Sequence, residues 1–211
     1  MSRSAATVLC AGVLLAGCGA GQAAPAKQQR AGVGVDRGGG IPRSLLLAAR
    51  PIGHGPRFQP PVTGTPTGRC EPTLGRRLAA HIELFGANKV VLLAAGIGTA
   101  PPREHRAGRI TSARCFGDVV SLDPTGTVYF RPGTGVTLGT VFQAWGQALS
   151  ASRVASFSGG KTLTYVGGRL WRGAPAAVPL SSGAEIVVEI GPRVPPHRRF
   201  VFSQPPSAQM R

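Results

Sequence analysis

Apolar residues follow two different rhythms along this chain. From Ala5 to Ala16 they form one uncharged run, shorter than the ~20 helical residues needed to cross a hydrocarbon core. From Cys70 to about Phe202 they return in short bursts divided by Gly, Pro, Asn and Asp, the punctuation of a strand-rich domain. Between these regions, residues 19–68 are mostly Gly, Pro, Ala and Arg, with no apolar period beyond Leu45-Leu46-Leu47-Ala48-Ala49. Five residues cannot nucleate a helix alone, so this span is expected to be a flexible tether.

Within the domain the periods predict individual elements. Ala80 to Phe85 and Lys89 to Ala94 flank Gly86-Ala87-Asn88 and suit a hairpin. Val119 to Leu122 and Thr127 to Phe130 flank Asp123-Pro124-Thr125-Gly126, which has β-turn chemistry. Pro101 to Arg109 reads as a polar loop. Leu138, Val141, Phe142, Trp145 and Leu149 recur at helical spacing, which predicts a helix over 136–150 with Thr137 capping its start. Arg153 to Phe157, Leu163 to Val166, Arg169 to Trp171 and Glu185 to Ile190 read as strands, and Phe200 to Phe202 as an added edge strand. The expected fold is α+β, a mostly antiparallel sheet packed on a single helix, with a β-grasp as one arrangement that fits. It would occupy residues 69–203, leaving 204–211 as a disordered tail.

The first run has its own chemistry. Arg3 precedes it, and it ends in Leu15-Ala16-Gly17-Cys18, the charged front and small-residue end of a cleaved signal peptide over residues 1–17. Small residues leave the backbone open to a peptidase, and the Cys18 thiol is the nucleophile that can take a lipid. Lipidated Cys18 would start the mature chain and hold it to the membrane through two or more acyl chains, on the extracytoplasmic face.

Charge alters this picture little. The formal net charge is +16, but Arg outnumbers Lys 21 to 3 in a chain with 31 Gly and 19 Pro, a bias that points to base composition as much as to ligand. The tether carries six cations against Asp36 alone, suiting anionic headgroups at up to ~1 kcal/mol per cation. Arg198-Arg199 with Phe200 and Phe202 has the look of a nucleic-acid edge; export would put it on the wrong side of the membrane, so no nucleic acid is expected as a partner. An envelope protein or anionic polymer is the expected partner beside the membrane itself.

With Cys10 in the signal and Cys18 lipidated, Cys70 and Cys115 remain, and in an exported domain a disulfide is the economical assignment, a redox pair or metal site the alternative. His54, His81, His105 and His197 lack spacings that put two imidazoles on one ion; His81, on a predicted strand, is the one weak metal candidate. Gly133-Thr134-Gly135 is a weak anion-loop candidate, without phosphate-loop or dinucleotide spacing. No serine stands in a nucleophile elbow. Glu185 and Glu189 would lie about 13 Å apart on one strand face, too far for a carboxylate pair. No catalytic residue and no cofactor is expected.

Val136 through Ser150, with Thr137-Leu138-Gly139, Phe142 and Trp145-Gly146, resembles a group of uncharacterised actinobacterial exported lipoproteins bearing a TLGxFFxxWG segment, as do Gly96-Ile97-Gly98 before it and Val178-Pro179-Leu180 after it. The resemblance spans roughly residues 78–202. It implies the same fold and anchor and a cysteine at the Cys115 position. The group's histidines suggest metal binding, but here Ser121-Leu122-Asp123-Pro124-Thr125-Gly126 stands for a histidine-bearing turn and Gly183 for a later histidine, leaving His81.

The chain therefore reads as a lipid-anchored cell-envelope protein, a non-catalytic binding or interaction module. One alternative is an envelope copper- or zinc-binding protein using His81 with Asp123 or Glu83. The other is a hydrolase of cell-wall polymers, using Asp118 and Asp123. The anchor has a direct test: Cys18→Ala is expected to shift the protein out of the membrane fraction or leave its precursor uncleaved, and unchanged partition and mobility on fractionation would contradict lipidation.

Overall fold

The computed structural model describes residues 50–193 and 196–202. The expected signal peptide, Cys18, the tether up to residue 49 and the tail at 204–211 lie outside the described residues.

The principal sheet has seven strands. Strand β1 (Leu78–Gly86) turns through Ala87 and Asn88, both in the left-handed region, into β2 (Lys89–Val91), as the first predicted hairpin requires. The second hairpin joins β5 (Val119–Val120) to β6 (Thr127–Phe130), and β6 pairs antiparallel with the start of β1. On the other side, β11 (Arg169–Leu170) pairs with β10 (Thr162–Val166), and β10 pairs with β12 (Glu185–Ile190). The two halves meet where β12 runs parallel to β1, with His81 opposite Glu185 and Gly86 opposite Ile190. The sheet order is β11-β10-β12-β1-β6-β5. The fold is α+β and mostly antiparallel; its central parallel pair joins the first and last strands of the described residues, with one α-helix among those residues against the sheet.

Helix α1 (Leu138–Trp145) covers one face of this sheet. Thr137 and Thr140 form a reciprocal capping box at its start. Leu138, Val141, Phe142 and Trp145 bury their stripe against Ile82, Leu84, Ile186 and Val188 in the main core, a packing in which each fully buried side chain contributes about 1.5–3 kcal/mol. The helix is shorter than its apolar period predicts. Gly146 takes the left-handed conformation, φ 77°, and ends it, and a Cβ there would stand 2.3 Å from the Thr63 hydroxyl. Leu149 therefore belongs to β7 (Leu149–Ser150), which forms a small three-stranded sheet with β8 (Arg153–Val154) and β9 (Phe157–Ser158).

Three further expectations are corrected. Residues 50–68 are not tether. Gly53 N–H donates to the Val90 carbonyl at 3.0 Å, Leu92 N–H donates to that of Phe58 at 2.8 Å, and the amides of Thr63 and Gly64 both donate to the Trp145 carbonyl. The Trp145 indole in turn donates to Pro60 at 3.2 Å, and the Phe58 ring meets Phe157 at 4.9 Å. Sparse apolar residues at Phe58 and Val62 suffice to dock this belt, because it satisfies backbone groups at the helix end and along β2. Pro101 to Arg109 is not a loop either: β3 (Thr99–Arg106) and β4 (Arg109–Phe116) form a separate two-stranded arm. Its buried residues are Thr99, Ala100 and Phe116 at the base and Ile110 beside the turn at the tip, where the Ile110 amide donates to the Leu122 carbonyl at 2.7 Å, so the arm shows no apolar alternation. Phe200 to Phe202 adds no strand; it lies over β1, as described below.

Cys70 and Cys115 form the expected disulfide, with Cα atoms 5.3 Å apart. It ties β4 to the segment before β1, beside a two-bond bridge between Glu71 and Phe116. Arg131 donates to Glu71 at 2.7 Å and to Asp118 at 3.0 Å across the same junction. Buried Arg77 donates to the carbonyls of Leu74, Gly117 and Asp118; burial pushes its guanidinium down to about 10, still charged at neutral pH. The disulfide closes a separation of 45 residues, for which chain entropy gives about 4 kcal/mol. The Cys70→Ser/Cys115→Ser double variant is expected to lose roughly 3–4 kcal/mol in urea unfolding with a somewhat steeper slope, because the unfolded chain is released to expand, and a loss under 1 kcal/mol would show that the arm is held by its packing alone.

Candidate metal centre

Side chains along β1 alternate between the faces of the sheet. Ala80, Ile82 and Leu84 enter the core beneath α1, so His81, Glu83 and Phe85 face the other way. The parallel register then sets Glu185 of β12 beside His81, and both are buried, 5% and 2% exposed. A strand reading Glu-Ile-Val-Val-Glu-Ile suggests one wet face, yet all six of its positions are buried. Glu189 lies on the same face, where the Tyr165 hydroxyl donates to it at 3.3 Å.

Each nitrogen of His81 has a partner. Nε2 lies 2.9 Å from the Thr125 carbonyl and Nδ1 lies 2.9 Å from Glu185 Oε2. A carbonyl only accepts, so Nε2 carries hydrogen, and a single proton is shared between Nδ1 and the carboxylate. Thr125 is fixed in turn: its amide donates to Asp123 Oδ1 at 3.3 Å, its hydroxyl donates to the same oxygen, and Asp123 is ion-paired with Arg109. Gly126 completes the turn at φ 85°, where a Cβ would stand 2.6 Å from the Ile82 carbonyl and 2.8 Å from His81 Nε2. Glycine is required there by conformation and by space.

The C-terminal segment closes over this pair. The Phe200 ring stacks on His81 with centroids 3.6 Å apart and planes 6° apart, and Phe202 meets Phe200 edge-on at 4.9 Å. From the same segment, His197 Nδ1 lies 2.8 and 2.7 Å from the two oxygens of Glu83.

One ligand atom from each of His81, Glu83 and Glu185 lies within 4.8 Å of the others. Two features point beyond a packed polar cluster. Glu185 Oε1 is buried without any hydrogen-bond partner, a state costing about 1–3 kcal/mol or more for a charged group. Burial pushes the Glu185 carboxyl above its ordinary range, opposed in part by the hydrogen bond from His81. In addition, His81 donates its Nε2 hydrogen to a backbone carbonyl, the contact that typically orients a metal-ligating histidine and frees its other nitrogen for the ion.

The residues singled out by sequence are divided by the fold. His81 and Glu83 come together; Asp123 is held by Arg109 and Asp118 by Arg131. His54 and His105 are exposed elsewhere, and Gly133-Thr134-Gly135 is an exposed turn. Cys70 and Cys115 are committed to their disulfide. Sequence reasoning missed Glu185 and His197 as members of the site. A carboxylate inside an apolar strand is itself a signal, since an unpaired charge is seldom buried.

No family model, curated protein or solved structure matches this chain.

A carboxyl group that binds protons more tightly when folded stabilises the fold below its unfolded value and loses that contribution as pH rises through the folded one. Glu185→Gln removes the charge and keeps the shape. At neutral pH the variant is expected to melt higher, by roughly 2–4 °C for each kcal/mol of relieved charge burial. Its stability should also rise less than that of the unaltered protein on acidification toward pH ~4.5; parallel pH profiles in thermal melts would contradict the burial argument.

Proposed function

We propose that the chain is a lipid-anchored, extracytoplasmic, non-catalytic binding protein whose ligand is a divalent first-row metal ion of the zinc class. The observation that carries this reading is the convergence of one ligand atom from each of His81, Glu83 and Glu185 within 4.8 Å, with Glu185 Oε1 buried and unpartnered on the same carboxylate. One imidazole with two carboxylates suits zinc or a neighbouring ion better than calcium, which prefers six to eight oxygens. The ion would take the place of the proton between His81 Nδ1 and Glu185 Oε2, so uptake would release a proton. The turn at Thr125 and the ring of Phe200 support this reading, because they hold His81 in one orientation.

Presentation at a membrane follows from Cys18, and the arm formed by β3 and β4 offers exposed Arg106 and Arg114 to an anionic envelope polymer. The hydrolase reading draws no such support, since Asp118 and Asp123 each serve a different arginine.

Equilibrium dialysis of the purified domain is expected to retain one zinc ion per chain, and His81→Ala to abolish retention. At a free zinc concentration 100 times Kd, ligand linkage adds about 2.7 kcal/mol of stability, readable as a rise in Tm. Failure of the unaltered protein to retain zinc, cobalt or copper stoichiometrically would overturn the proposal.

A further inference from the structure

Resting on that reading, we infer that His197 is the fourth ligand, so that the ion is bound by two histidine–glutamate pairs, His81 with Glu185 and His197 with Glu83, in a closed tetrahedral site without a water position. Each pair has one member on β1, His81 against Glu185 of β12 and Glu83 against His197 of the C-terminal segment, and in each a ring Nδ1 meets a carboxylate. His81 Nδ1 is 2.9 Å from Glu185 Oε2, and His197 Nδ1 is 2.7 Å from Glu83 Oε2. Each distance is that of a nitrogen and an oxygen sharing one proton. In a tetrahedral zinc site with bonds of about 2.0–2.1 Å, adjacent ligand atoms stand about 3.3 Å apart. Exchanging protons for an ion asks each pair to open by roughly half an ångström; it also asks the ligand atoms of His81, Glu83 and Glu185, now within 4.8 Å of one another, to draw together, and His197, which stands outside that set, to swing in toward them.

His197 is also the ligand best placed to travel. Its side chain is 45% exposed, whereas those of His81 and Glu185 are 7% and 1% exposed. It follows the last strand on a segment held against β1 by the stack of Phe200 on His81. Without His197, His81, Glu83 and Glu185 would leave an ion with an open position for water, the arrangement of catalytic zinc; with it, the four positions are filled, as in structural and carrier sites. The non-catalytic character of the protein thus depends on this one residue. Ion binding would also fasten the C-terminal segment to the sheet.

Cobalt(II) is the probe, because its visible absorption is strong in four-coordinate tetrahedral sites and weak at higher coordination. The unaltered domain, His197→Ala and Phe200→Ala would be titrated with cobalt and, by calorimetry, with zinc, after thermal melts confirm that each variant is folded without metal. His197→Ala is expected to lower zinc affinity at least roughly tenfold, since even loss of a residue that merely orients a ligand costs 10–100-fold, and to shift the cobalt band and make it pH-dependent, because a water takes the vacated position. Phe200→Ala, which loosens the segment and leaves the ligand, should weaken binding and keep the band. An unchanged affinity and band in His197→Ala, with the unaltered domain binding metal, would overturn the fourth-ligand assignment alone. The same shift and pH dependence of the band in both variants would overturn it too, assigning the effect to the segment as a cover. Failure of the unaltered domain to bind either ion would instead remove the metal reading on which the assignment rests.

Discussion

Burial of β12 on both faces is the constraint from which the rest of the molecule follows. A central strand covered on two sides must satisfy its backbone with neighbours on both edges, which β1 and β10 supply. It must also bury whatever its side chains carry. On the helix side Ile186, Val188 and Ile190 join the core at little cost. On the other side Glu185 and Glu189 cannot be buried freely, and the protein answers with His81, Tyr165 and the aromatic C-terminal segment. The candidate metal centre is thus the place where strand packing left a carboxylate oxygen without a partner.

Much of the architecture was legible because it rests on local chemistry. The two hairpins were marked by Gly86-Ala87-Asn88 and by Asp123-Pro124-Thr125-Gly126, and the helix by its apolar period. Where the local signal was mixed, the reading slipped: Leu149 extended the period past Gly146, although a glycine after an apolar turn is the ordinary stop for a helix. The arm of β3 and β4 was hidden for another reason. Its residues from Pro101 to Arg109 face solvent, so no buried face wrote an alternation into the sequence. The belt at 50–68 looked like linker because Gly and Pro dominate it, and its hold comes chiefly from backbone hydrogen bonds, which composition does not report.

The site was less legible than the fold. His81 and Glu83 stand two residues apart on one strand, so their common face could be read directly. Glu185 is 104 residues further on and meets His81 only through the parallel register of β1 and β12. His197 reaches Glu83 by a return of the chain that no periodic pattern encodes. Glu185 was weighed against Glu189 along its own strand, but the pairing that mattered was across the sheet.

The parallel pair also sets the order in which the protein can come into being. β1 waits for a partner made more than one hundred residues later, and until that partner arrives both halves of the sheet expose an unfinished edge. Contacts of such long sequence separation fold slowly. A nascent chain of this design stays open at its centre until β12 has been made.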